Sequence, residues 1–214
     1  KFRKIRGDGQ YYIRGTFTRL NPNFAEDVLH LNDLGFDQIS IEPVVLPDNH
    51  PLALGKDQIE EVCRQYELLA EEYIKRRKTT EKWFNFFHFM IDLENGPCIT
   101  KRLTGCGAGA EYLAISPTGD IYPCHQFVGK KEFLMGSVFE DNFNNSIQDK
   151  FSKINVLSKE KCANCIAKYF CSGGCVANSY NFMKDINLPY EGGCKMMQKR
   201  FELSLAIYAI ENLI

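Results

Sequence analysis

Four cysteines fall within fourteen residues: Cys162, Cys165, Cys171 and Cys175, separated by two, five and three residues. Cys106 and Cys124 precede them, with Gly119 separated from Cys106 by twelve intervening residues and from Cys124 by four, and Cys194 separated from Cys175 by eighteen. A C-x2-C loop lets two thiolates face one metal centre while neighbouring backbone N–H groups reach the sulfurs. Gly173 and Gly174 allow the backbone to close tightly between Cys171 and Cys175. Structural zinc favours two C-x2-C or Cys/His pairs, and the four histidines do not fall at finger spacing. Seven thiols are too many for one tetrahedral zinc and one short of two. Iron–sulfur clusters accept thiolates scattered in this way and can leave one iron open. Spacing therefore favours iron–sulfur, with zinc and packed free thiols as the alternatives.

The whole composition bounds where such chemistry can run. The 214 residues include nine cysteines, an odd number, behind an N-terminus with neither the apolar core nor the cleavage site of a secretory signal. That argues for thiolates in a reducing, cytoplasmic setting rather than for a disulfide framework. The chain starts on Lys1 rather than Met and reads as a processed or excised part of something longer. With 26 basic and 27 acidic residues, no charge excess suggests a nucleic-acid partner or a membrane surface. No apolar run approaches the ~18 residues of a membrane span.

The elements that position the cysteines divide near residue 95. Residues 11–19 have the aromatic and β-branched content of a strand. A helix follows, with Asn21 or Asn23 as cap, Phe24, Val28, Leu31 and Leu34 on one face, and Gly35 as its stop. Residues 36–45 form a second strand, broken after Glu42 by Pro43, which makes a βαβ unit with parallel strands. A long helix runs from about Asp57 to Arg77, carrying Cys63 on its apolar face as a buried thiol. Residues 81–93 are expected to be helix. Two parallel strands do not make a stable sheet alone, so this half reads as part of a larger α/β sheet. Beyond it, residues 111–124 predict a hairpin turning at Ser116-Pro117-Thr118-Gly119, and residues 144–157 a short helix. The stretch after Cys194 predicts an amphipathic helix. The hairpin brings Cys106 and Cys124 toward its open end.

The pattern C-x12-G-x4-C, C-x2-C-x5-C-x3-C and a lone Cys resembles the seven-cysteine SPASM motif. That motif marks the C-terminal extension of many radical S-adenosylmethionine enzymes that modify ribosomal peptides. The stretches YYIRGTFTR, ISIEPVV, FNFFHFMIDL, GCGAGAEYLAISPTGDIYPCHQFVG, FLMGSV and CSGGCVAN narrow the likeness. Together they resemble the thioether-forming maturases of SCIFF peptides, of the ranthipeptide or sactipeptide type, over essentially the whole chain. The family's catalytic C-x3-C-x2-C run is missing, because Asn178 stands where the third cysteine after Cys171 and Cys175 would fall. The resemblance therefore implies a C-terminal half, inactive alone.

The implied fold class is an α/β partial (β/α) barrel fragment over 1–95, then an α+β SPASM domain over 96–194 with a β-hairpin and cluster-binding loops. A C-terminal helix completes it over 195–214. Two auxiliary 4Fe-4S clusters are implied. Cys162, Cys165, Cys171 and Cys194 would hold the second completely, while Cys106, Cys124 and Cys175 would hold three irons of the first. The fourth iron takes either Cys98 or the substrate's own cysteine thiolate, and the latter fits thioether formation better. The full-length enzyme would add S-adenosylmethionine and a third 4Fe-4S cluster from the missing N-terminal half. Its partners would be a cysteine-rich ribosomal precursor peptide and an electron donor such as flavodoxin or ferredoxin.

Other residues carry weaker signals. Arg14, Glu42 and Val44, on or beside the barrel strands, are candidates for the S-adenosylmethionine pocket, with a plain salt bridge as the other reading of the charged pair. His125, next to Cys124, is a candidate donor to a cluster sulfur. His88, Tyr112 and Tyr122 read as packing residues. Two further function classes stand beside the maturase: a ferredoxin-like electron-transfer module and a zinc-stabilised peptide-binding domain.

Overall fold

The computed structural model describes residue 5, residues 9–93 and residues 98–212, which the chain distributes over two compact units. Unit 1 comprises Lys1–Val44, Leu54–Asp92 and Lys199–Ile214; unit 2 comprises Val45–Ala53 and Leu93–Gln198. The expected division near residue 95 lies outside the described residues. No helix among the described residues is long and apolar enough to cross a membrane.

In unit 1, strands β1 (Ile13–Phe17) and β2 (Gln38–Pro43) pair in parallel, Ile13 opposite Ile39 and Phe17 opposite Pro43. Parallel neighbours need a crossover rather than a tight turn, and helix α1 (Phe24–Asp33) supplies it. Pro43 has no N–H to give the ladder; the Val44 N–H makes the last bond instead, to the Phe17 carbonyl at 2.9 Å. Gly35, at φ 88°, turns the chain from α1 toward β2. Leu34, expected on the buried face, is 59% exposed, and Asn32 is buried in its place. The Asn32 amide reaches the Phe36 carbonyl at 3.1 Å and its oxygen accepts from Arg76, so its polar groups are satisfied.

Residues 81–93 are not a helix. Asn85–Phe86 form β3, parallel to β2 with Phe86 opposite Ile39, and a 3₁₀ turn follows over Phe87–Phe89. Phe84, Phe86 and His88 are buried while Phe87 is exposed, a period of two that a strand satisfies and a helix does not. Helix α2 (Ile59–Arg77), led by a 3₁₀ turn over Lys56–Gln58, buries Ile59, Val62, Tyr66, Leu69 and Tyr73. Cys63 on this helix is half-buried rather than enclosed. Phe24 of α1 lies 4.4 Å from Phe17 and 4.6 Å from Tyr66, ring centre to ring centre.

Among the described residues of this unit, Arg200 is the buried charge. Its guanidinium lies over the Tyr66 ring at 4.8 Å, and its Nε donates to the Tyr66 hydroxyl at 2.7 Å. Its Nη1 sits 3.3 Å from His88 Nδ1. Burial, with the Arg200 charge beside it, drives His88 down to about 2, so this histidine is neutral.

Unit 2 is built on a second, antiparallel sheet. β4 (Ala114–Ile115) and β5 (Asp120–Tyr122) form the hairpin, and Gly119 at φ 85° donates its N–H to the Ser116 carbonyl at 2.9 Å. β6 (Gly136–Ser137) joins the other edge of β5; two residues are too few to announce a strand by alternation. Phe127, Phe133, Met135, Phe151 and Ala177 fill the core together with Tyr122 and Cys124. Gly109, at φ 78°, is required, since a Cβ there would stand 2.5 Å from the Phe151 side chain. Short helices carry the cysteine loops: α3 (Ile99–Thr104), α4 (Asn145–Ser152), α5 (Glu160–Ala163), α6 (Lys168–Cys171) and α7 (Val176–Met183). Helix α8 (Glu191–Asn212) starts before Cys194 rather than after it, placing that thiol in its first turn.

Tyr66→Phe removes the acceptor of a buried guanidinium and is expected to destabilise unit 1 by about 1–3 kcal/mol. The urea midpoint, followed by the fluorescence of Trp83, measures this. Trp83 is the one tryptophan of the chain and lies in unit 1, 4.7 Å from the Arg77 guanidinium.

Candidate metal centre

Electrostatic influence runs between particular cysteines of unit 2. Cys124 feels the thiolate charge of Cys175 and Cys106, and Cys175 that of Cys106. Cys171 feels Cys194, Cys162 and Cys165, and Cys194 feels Cys162 and Cys165. The chain interleaves these sets: Cys171 and Cys175, four residues apart, fall on different sides. Ser172, Gly173 and Gly174 between them take φ 57°, 84° and 75°. Three left-handed residues in succession turn the backbone sharply, and two of the three are glycines, for which that conformation has no steric cost.

Local structure then acts on each sulfur. Loss of solvation is the largest influence on Cys124, Cys162, Cys171, Cys175 and Cys194, and it raises every one of these thiols, Cys171 to about 11. Cys175 is nonetheless exposed as a residue, so the effect on it comes from protein atoms crowding the sulfur. Opposing it are backbone N–H groups. Cys175 immediately precedes α7, and the N–H groups of Ala177 and Asn178 approach its sulfur and favour the thiolate. Cys124 stands in the same relation to a 3₁₀ turn over His125–Phe127, where Gln126 and Phe127 supply the N–H groups. The Gly174 N–H, bonded to the Cys171 carbonyl at 3.3 Å, has the same effect on Cys171. Gln198 Nε2 donates to Cys165 Sγ at 3.6 Å.

Among the described residues, no three His, Cys, Asp or Glu side chains converge tightly enough to grip one metal ion. On a single tetrahedral ion with metal–sulfur bonds near 2.3 Å, the sulfurs stand within about 4 Å of one another. A four-iron cluster distributes its thiolates over separate irons and needs a wider ring. An all-thiolate donor set, gathered in groups of three and four with N–H groups directed at sulfur, fits an iron–sulfur group.

The remaining sequence candidates land in different places. Cys98 is exposed and begins α3; both it and Cys106 lie within reach of the Lys101 charge. His125 has its ring nitrogens engaged by the Tyr112 hydroxyl and by Gln126 Nε2, each at 3.2 Å, rather than by sulfur. Tyr112 is 43% exposed, so packing does not account for it, whereas Tyr122 is buried. Arg14 Nη2 pairs with Glu42 Oε1 at 2.9 Å on neighbouring strands of unit 1, both side chains reached by solvent. Val44 spends its N–H on the β1–β2 ladder.

Lys159 is the residue that spacing did not reveal. It is 3% exposed and its Nζ donates to the Gly173 carbonyl at 3.0 Å. Burial pulls its pKa down, while negative charge on Cys162, Cys171, Cys175 and Cys194 works the other way and favours the ammonium. A lysine three residues before a C-x2-C gives no sequence sign of burial, since lysines are almost always exposed.

Comparison with known proteins bears directly on the sulfur-rich unit. Residues 106–166 match SPASM, an iron–sulfur cluster-binding domain. The SPASM match includes Cys106, Cys124, Cys162 and Cys165 and stops short of Cys171, Cys175 and Cys194. The antilisterial bacteriocin subtilosin biosynthesis protein AlbA of Bacillus subtilis (strain 168) is 43% identical over 47 residues, 22% of this chain and 10% of that protein. An uncharacterized protein of Archaeoglobus fulgidus is 33% identical over 81 residues, 36% of this chain and 19% of that protein. Native anSMEcpe with bound AdoMet and Kp18Cys peptide superposes with a TM-score of 0.63 at 16% identity, over 96% of this chain and 58% of that one. Its form with the Cp18Cys peptide gives 0.64 at 15% identity, over 95% and 58%. The chain has this mixed α/β fold and spans little more than half the length of those structures.

The raised thiols set a pH dependence for the metal-free protein. Cys171 goes from an ordinary 9.0 to about 11 on folding, so the folded state holds its proton more tightly. That contribution is complete below pH 9 and is lost as pH climbs to about 11. The urea midpoint of chelated, reduced protein should fall over this window by circular dichroism, and Cys171→Ala should flatten the fall.

Proposed function

We propose that the chain is the C-terminal part of a radical S-adenosylmethionine peptide maturase that installs cysteine thioether links in a ribosomally made precursor peptide. The observation that carries the proposal is the match of residues 106–166 to an iron–sulfur cluster-binding domain, supported by the electrostatic proximity of Cys106, Cys124 and Cys175 and of Cys162, Cys165, Cys171 and Cys194. Cys162, Cys165, Cys171 and Cys194 would hold one complete 4Fe-4S cluster, and Cys106, Cys124 and Cys175 would hold three irons of another. Such clusters supply electron transfer and, at an open iron, a Lewis-acid site for a thiolate. The protein's share is to bury the sulfurs and aim N–H groups at them.

Two relatives support a peptide as substrate: AlbA is named for bacteriocin biosynthesis, and anSMEcpe was solved with AdoMet and a cysteine-containing peptide bound. In this reading the parallel sheet β1–β2–β3 is the last part of a partial (β/α) barrel. The Arg14–Glu42 pair and the Val44 backbone belong to its S-adenosylmethionine pocket. The catalytic cluster and the rest of the barrel come from sequence N-terminal to this chain. A cysteine-rich precursor and a flavodoxin- or ferredoxin-like donor complete the set of partners. The fourth iron of the first cluster is assigned to the substrate cysteine rather than to Cys98.

Anaerobic reconstitution with iron, sulfide and zinc counted together tests the cluster assignment. About eight irons per chain, with absorption near 400 nm, is the expected result for two four-iron clusters; zinc without iron would overturn it. Cys98→Ala should retain the full complement. Loss of about four irons in that variant would make Cys98 the fourth ligand and close the site to substrate.

A further inference from the structure

A buried ammonium lies where the two sulfur sets meet. Lys159 is almost wholly enclosed, although lysine ordinarily keeps its charge in water. The acceptor it has found is the Gly173 carbonyl, at 3.0 Å. Gly173 is the middle residue of the left-handed turn between Cys171 of one set and Cys175 of the other. One hydrogen bond therefore tethers the three residues that separate Cys171 of one set from Cys175 of the other. An ammonium has three donors in a compact head, and this one acts on Cys162, Cys171 and Cys194 of one set and on Cys175 of the other. Among these groups it is the cation, and the rest are sulfur.

A cation held in a low-dielectric site interacts strongly with nearby charge, and its position is fixed at the fold's expense. Here the cost of burying it has a specific return, because four thiolates around a four-iron core leave a net negative assembly that grows more negative on reduction. A fixed positive charge favours the reduced form over the oxidised one. We propose that Lys159 is a positioning residue shared by both sulfur sets: it pins the Cys171–Cys175 turn through the Gly173 carbonyl and raises the reduction potentials of both clusters together. The proposal rests on the iron–sulfur reading given above.

Three variants of the reconstituted protein separate charge from tether. Lys159→Gln keeps an N–H donor without the charge, Lys159→Arg keeps the charge, and Lys159→Met keeps neither. Iron and sulfide are counted first, and the potentials are read by a redox titration followed by electron paramagnetic resonance. The expected result is that Gln and Met variants shift both clusters toward the oxidised form by about tenfold at a fixed potential, or about 59 mV for a one-electron couple. The Arg variant should stay near the parent. Should the Gln and Met variants lose iron while Arg keeps it, the charge serves assembly rather than potential and the proposal is overturned. Unchanged potentials in an iron-replete Gln variant, a shift confined to one cluster, or equal loss of iron in all three variants would overturn it. If the parent itself takes up no iron, the cluster reading has failed and the role of Lys159 falls with it, a result distinct from every variant outcome.

Discussion

The rest of the structure answers to one electrostatic problem: the crowding of ionisable sulfur. A thiol must lose its proton to bind metal, and burial resists that loss. Unit 2 buries Cys124 and Cys162 and half-buries Cys165, Cys171 and Cys194, and the resistance is visible in the raised Cys124, Cys162, Cys171 and Cys194. The fold supplies what offsets it. Helix α7 and the 3₁₀ turn after Cys124 begin where they do so that their first N–H groups meet a sulfur. The left-handed turn at Ser172–Gly174 separates Cys171 from Cys175, and the buried Lys159 donates to its middle carbonyl.

Unit 1 solves a related problem differently. Its buried charge, Arg200, is spread over a planar guanidinium, satisfied by a phenol and a neutral imidazole, and laid against an aromatic face. These groups act on one another rather than on a ligand. The contrast separates a polar core that stabilises from one that prepares a site: Lys159 is surrounded by groups that carry charge once metal is bound, Arg200 by groups that stay neutral.

Much of this was legible in the sequence because it depends on local rules. The β1–α1–β2 crossover follows from two β-rich runs, a periodic helix and Gly35; the hairpin follows from Ser116-Pro117-Thr118-Gly119. The strand at Asn85–Phe86 was hidden because an all-aromatic run satisfies either period until the edge of β2 decides which face is buried. Leu34 misled for the opposite reason: its helical phase is right, yet Gly35 bends the chain away before that face meets the core. In the metal centre the ligands announce themselves by type and spacing. Lys159 and the N–H groups of Ala177 and Asn178 do not, because burial and helix starts are properties of the assembled unit. The start of α8 at Glu191 belongs to the same class.

The interleaving of the two sulfur sets has a temporal side. A chain leaves the ribosome from its N-terminus, so Cys106, Cys124 and Cys175 are all present once residue 175 has emerged. The other set waits nineteen residues longer, until Cys194 appears in the opening turn of α8. A helix start is costly until following turns have formed, so Cys194 gains a fixed direction only as still later residues are added. The two sets are therefore completed in sequence during synthesis, three thiols first and four afterwards. The shared turn at Ser172–Gly174 gives the earlier set a hand in shaping the place where the later one closes.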